Sequence, residues 1–123
     1  MTTPTRKRSN APIFWLLFGA GGMLSALLGT ALVFITGLGG PLGWLLPADT
    51  LGYARVLALA RHPLGKAFLF AVVMLFAWHA AHRIFHSLHD VGIHPGTVAR
   101  ALCYGSALVL TVAALASLLA VGF

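Results

Sequence analysis

Acidic side chains are almost missing from this chain: Asp49 and Asp90 are the only two in 123 residues. No carboxylate therefore stands inside a long apolar stretch to act as a buried acid, base or metal ligand. Charged residues of both signs make up only 8% of the chain, against about 25% in soluble domains. A single cysteine, Cys103, excludes a disulfide framework and any paired-cysteine metal motif. Between Arg8 and Asp49 there is no charge at all, a window far longer than the ~20 residues that cross a bilayer.

What fills the space is apolar. Hydrophobic residues reach 59% and the mean hydropathy is +0.94, which places the chain among all-α integral membrane proteins, with backbone polar groups satisfied inside each helix. Residues 1–123 form one small domain. The formal charge of +6 and the pI near 10.9 come from scattered cations, with no basic stripe interleaved with aromatics, so nucleic acid is a poor partner. Arg6, Lys7 and Arg8 instead suit an anionic lipid leaflet.

Three membrane spans are expected, at about 14–38, 64–85 and 98–121. Gly37, Gly39, Gly40 and Pro41 end the first, and Trp44 sits near an interface. Gly19, Gly21, Gly22, Ser25 and Gly29 dot that span; they either let a neighbouring helix approach closely or reflect the general frequency of glycine in membranes. Between spans one and two, Asp49 is expected to N-cap a short interfacial helix covering 51–60, which Pro63 ends. Lys66 is expected to snorkel freely at the start of span two. Span three, uncharged after Arg100, reads as mainly structural. The basic start reads as an uncleaved anchor, because the uncharged run is too long for a signal-peptide core. Flanking cations, with Arg6, Lys7, Arg8, Arg83 and Arg100 opposed to Arg55, Arg61 and Lys66, favour a cytoplasmic N-terminus.

The end of span two carries the chemistry. His79, His82, His86 and His89 fall within an arc of roughly 80° on one helix face, with Arg83 and Asp90 on its flank. Four uses compete. Haem ligation needs an opposing axial ligand, and spans one and three hold no histidine, so a partner would have to supply it. Zinc fits the His82–His86 spacing, but with no Cys or Glu nearby Asp90 or His89 at the helix end would have to complete the tetrahedron. A proton pathway suits imidazoles, which titrate near neutral pH. A quinone site needs donors to the carbonyl oxygens, an apolar slot and a proton route. His82 and Arg83 can donate, Trp15 offers an indole N–H at the same depth, and Asp90 marks nearby water. The plainer alternatives stand beside these: Trp15 as a headgroup-belt residue, Trp78 as a lipid-facing ring, Arg83 as a topogenic charge, and His62 and His94 as solvated side chains.

Several stretches together carry a specific likeness. Lys7-Arg8-Ser9, Pro12-Ile13-Phe14-Trp15, Leu17-Phe18-Gly19-Ala20-Gly21-Gly22-Met23, Pro41-Leu42-Gly43, Tyr53-Ala54-Arg55-Val56-Leu57-Ala58 and the run from His82-Arg83 to His89-Asp90 span nearly the whole chain. In these the sequence resembles the D subunit of bacterial quinol:fumarate reductase, a hydrophobic membrane anchor. Two departures are visible: Phe85 stands where relatives carry another histidine, and the turn from Trp44 to Asp49 has an extra residue.

The resemblance implies a multi-pass anchor in the bacterial inner membrane that packs with a second hydrophobic anchor, the C subunit of the same complex. Together they would hold the fumarate reductase flavoprotein and iron–sulfur subunits at the cytoplasmic face. It implies a menaquinol site at the interface with these partners, used in anaerobic fumarate respiration, with Trp15, His82 and Arg83 at the pocket and Phe18 and Gly19 as wall positions. No residue here would perform fumarate chemistry. Flavin and iron–sulfur clusters would reside in the partner subunits, the chief proton acceptor would come from the second anchor, and no haem is expected. The alternatives are a haem b anchor of a succinate dehydrogenase type complex and a free-standing proton channel or small transporter.

Overall fold

The computed structural model describes residues 10–44, 46–47 and 49–123. The basic cluster Arg6, Lys7 and Arg8, like the first stretch of the family likeness, lies outside the described residues. Every regular element among the described residues is a helix. Four are distinguished: α1, Ala11–Gly39; α2, Tyr53–Arg61; α3, Pro63–Asp90; and α4, Thr97–Ala120. The helices α1, α3 and α4 are each long and apolar enough to cross a membrane, so the chain is an all-helical membrane protein with three candidate spans.

Local sequence explains where these helices begin and bend. Pro12 sits in the first turn of α1, where its missing N–H costs no hydrogen bond. Two wide π-helical turns, Ser25–Gly29 and Ile35–Gly39, interrupt α1. Beside each, a threonine hydroxyl bonds back to a carbonyl one turn earlier, Thr30 to Ala26 and Thr36 to Leu32, both at 2.7 Å. Such back-bonding competes with the helical ladder.

Proline and histidine set the start of α3. His62 is the N-cap: its backbone is extended, and its Nδ1 accepts the Leu64 N–H at 3.2 Å, with Pro63 opening the helix. His62 is therefore a structural cap and not merely a solvated side chain. The helix continues to Asp90, past the expected end at Phe85, so all four clustered histidines are helical. At 1.5 Å per residue its 28 residues measure about 42 Å, longer than the ~30 Å hydrocarbon core. It is therefore long enough for an end to reach the headgroups.

The connection before α3 corrects one expectation. Gly52, not Asp49, is the N-cap of α2. The Asp49 carboxylate instead pairs with the Arg55 guanidinium at 2.8 Å, both side chains exposed, a contact worth at most about 1 kcal/mol.

Packing centres on α3, against which α4 lies along much of its length, α1 along its second half, and α2 at its start. Ala81, Phe85 and Ala107 are the buried apolar side chains among the described residues, and small residues at this seam let the α3 and α4 backbones come close. Trp78, expected to face lipid, turns inward: its indole N–H donates to the Thr111 hydroxyl at 3.1 Å, which donates on to the Ala107 carbonyl at 2.8 Å. An indole N–H has no partner in lipid, so the neighbouring hydroxyl decides its direction.

Lys66 also departs from expectation. It is buried, with its ammonium donating to the Gly122 carbonyl at 2.8 Å and lying 4.1 Å from the Phe123 ring centroid. The lysine clamps the chain just past the end of α4, where the Gly122 carbonyl lies outside the helical ladder.

Candidate functional site

Two adjacent glycines create the site by letting α1 sink onto α3. A Cβ at Gly21 would stand 2.8 Å from the Leu75 carbonyl oxygen and 2.9 Å from the His79 Cβ. One at Gly22 would meet the His79 ring at 2.9 Å. Both approaches are closer than real side chains tolerate, so the pair acts as a notch that receives His79. Gly19 is different: a Cβ there meets nothing within 4 Å.

Seated in that notch, His79 has its Nδ1 3.1 Å from the Phe18 carbonyl oxygen. A carbonyl can only accept, so Nδ1 carries the hydrogen. In the neutral ring Nε2 then keeps its lone pair.

One turn further, His82 is held from two sides. The Phe18 ring stacks on it, with centroids 4.0 Å apart and planes 15° from parallel. Its Nδ1 lies 3.0 Å from the Tyr104 hydroxyl of α4. One imidazole thus joins all three spans, which a residue on the outer face of the bundle does not do.

Between α1 and α3 lies a groove of ≈480 Å³ lined by Ala11, Trp15, Phe18, Gly19, His79 and His82. Four of the five residues singled out from sequence and family likeness, Trp15, Phe18, Gly19 and His82, come together there. Trp15 is 81% exposed, so the groove is open on the α1 side. Arg83 does not line the groove; it is exposed on α3 beside His82.

The remaining histidines continue from the groove toward the end of α3. The ring of His86 is 4.3 Å from that of His82, and His89 is 6.1 Å from His86. Both line a second cavity of ≈550 Å³ with Phe85, Arg100 and the 95–97 turn. Phe85 is buried against Tyr104, its ring 5.7 Å away, and closes the seam between α3 and α4. Among the described residues no three His, Cys, Asp or Glu side chains are arranged to hold a metal ion.

Comparison with known proteins gives the family of the chain. The family model for the fumarate reductase D subunit matches residues 5–119. The chain belongs to this fumarate reductase anchor family. A D subunit from Shewanella sp. (strain W3-18-1) is 44% identical over 108 residues, covering 88% of each chain. One from Vibrio vulnificus (strain YJ016) is 39% identical over 117 residues, covering 95% of this chain and 88% of the relative. A third, from Vibrio cholerae serotype O1 (strain M66-2), is 38% identical over 105 residues, covering 85% and 80%. With three candidate spans, the protein is a multi-pass membrane anchor of a fumarate reductase, an accessory member of an oxidoreductase complex.

Sequence pattern does not separate two residues of the anchor's site from their neighbours. His79 shares its helix face with three other histidines, and only the glycine notch distinguishes it. Tyr104 lies in a span with no other mark of function, and its partnership with His82 depends on how α4 is rotated against α3. Its position about two turns into a mostly apolar helix was the available signal.

Proposed function

We propose that this fumarate reductase anchor forms one wall of a menaquinol oxidation site. In this reading it packs with the second membrane anchor, the C subunit, and docks the flavoprotein and iron–sulfur subunits to the bacterial inner membrane, with its N-terminus in the cytoplasm. The observation that carries the reading is the groove itself: an apolar, ring-lined slot with two imidazoles at its floor and an indole at its rim. These groups fit a quinol. Phe18 and Trp15 offer flat apolar surface to the ring, and the indole N–H and imidazoles offer hydrogen bonds to its oxygens. Partners would cover the open side beside Trp15.

Oxidation of a quinol releases two protons and two electrons. A neutral imidazole is suited to accept a proton at physiological pH. His79 has an Nε2 lone pair fixed by its bond to Phe18, and His82 lies beside it in the same groove. Arg83 stays protonated and cannot be the base. From its exposed position it serves as a polar contact on the side that partner chains complete, where a cation favours the developing negative oxygen. Electrons pass to iron–sulfur clusters and flavin in the partner subunits, where fumarate is reduced.

The test separates quinol chemistry from assembly. In the purified complex, His82→Ala is expected to lower quinol-linked fumarate reduction by about 10²-fold, the lower end of the usual acid–base contribution. Fumarate reduction by an artificial dye donor should stay at the wild-type rate. Unchanged quinol turnover in both His82→Ala and Trp15→Ala would remove the groove from the quinol path.

A further inference from the structure

We propose that Tyr104 is a positioning residue for quinol oxidation, acting through His82. The inference rests on the groove being the quinol site. It extends that reading to a helix, α4, that does not line the groove.

The geometry is that of an oriented imidazole. His82 has two ring nitrogens, and Nδ1 is occupied by the Tyr104 hydroxyl at 3.0 Å. Nε2 is left for the groove. The stacked Phe18 ring fixes the imidazole plane, while the hydroxyl fixes its rotation within that plane. A tyrosine hydroxyl both donates and accepts, so it can partner either tautomer of His82, unlike the Phe18 carbonyl that locks His79. When Nδ1–H donates to the Tyr104 oxygen, Nε2 carries the lone pair and faces quinol as a base. This is the role that a hydrogen-bonded orienting group plays for a histidine base elsewhere.

Tyr104 is itself held in place. Its ring lies 5.7 Å from that of Phe85 and 6.2 Å from Trp78, which is anchored to Thr111 of the same helix. The hydroxyl position therefore follows from the α3–α4 seam.

In the step assigned to this pair, the quinol O–H bond breaks as an Nε2–H bond forms on His82, and the Nδ1–H bond to Tyr104 is kept. Electrons leave the quinol one at a time to an acceptor of the iron–sulfur class, and two in all convert it to quinone. His86, whose ring is 4.3 Å away, then receives that proton from His82 Nε2 through one water, which restores the Nε2 lone pair, and passes it toward exposed His89. The second quinol proton goes to the acceptor that the second anchor supplies where it covers the open side of the groove.

Tyr104→Phe tests this, because it removes one oxygen and leaves the ring contacts intact. In the purified complex the quinol-linked kcat is expected to fall about tenfold, in line with loss of an orienting partner. KM for quinol should stay within about twofold and dye-linked fumarate reduction should be unchanged. In a His82→Ala background the same change should have no further effect on kcat. A wild-type kcat in Tyr104→Phe, or an equal further loss in the His82→Ala background, overturns the proposal. A parallel fall in dye-linked activity would make Tyr104 structural and overturn it too. If Trp15→Ala and His82→Ala lower quinol turnover while Tyr104→Phe does not, the quinol groove stands and only the role of Tyr104 falls.

Discussion

Trp78 and Thr111 illustrate how a single hydroxyl turns a side chain around. In lipid, an indole N–H without a partner costs several kcal/mol, and Thr111 supplies one across the seam at 3.1 Å. Hydrogen bonds between membrane helices are nevertheless modest, averaging about 0.6 kcal/mol in double-mutant cycles. Thermal unfolding of the complex with Trp78→Phe, Thr111→Val and the double variant should therefore give a coupling near that size. Strictly additive losses would mean the bond contributes nothing. Lys66 follows the same logic at the other end of the bundle. Its chain length permits snorkelling, but the unpaired Gly122 carbonyl and the Phe123 face are nearer partners than water.

Among the elements, α1 depends most on what it lacks. Its attachment to α3 runs through Gly21 and Gly22, where absent Cβ atoms make room for Leu75 and His79. Gly21→Ala would press a methyl group against the Leu75 backbone, and overpacking of this kind costs about 1–3 kcal/mol. Gly19→Ala meets open space in this chain. The assembled complex recovered from membranes should fall for Gly21→Ala and hold for Gly19→Ala. Equal yields from the two would show that the notch does not hold the helices together. The same contrast appears between α2 and α3, where a Cβ at Gly65 would collide with the Leu59 carbonyl oxygen.

The molecule as a whole buries very little. Ala81, Phe85 and Ala107 are the buried apolar side chains among the described residues, whereas Trp15, Leu16, Met23, Val33 and Val98 are largely exposed. Lipid can cover such a surface. The ≈610 Å³ groove along α1, lined by Ser25, Gly29, Thr30, Val33, Phe34, Gly37 and Leu38, has the small residues that favour close helix contact in membranes. A tagged chain purified from its native membrane is accordingly expected to bring other fumarate reductase subunits with it. A chain that arrives alone, stable in mild detergent, would contradict its place as a membrane anchor of that complex.

Membrane location and helical class were legible in the sequence because they depend on composition and run length alone, which no packing rearranges. The histidine face of α3 was equally legible, since helical periodicity fixes which residues share a side. Trp15, Phe18 and Gly19 entered through family likeness and the spacing of a single helix. Tertiary structure alone decided which neighbours those faces meet. It turned Trp78 inward, clamped Lys66, moved Asp49 from cap to ion pair and joined His82 to Tyr104. The reason is physical: periodicity gives each helix a face, but the rotation of one helix against another is fixed by glycine notches, single hydroxyls and unpaired carbonyls distant in sequence. Those contacts converge on His82, an imidazole touched from α1 and α4 together.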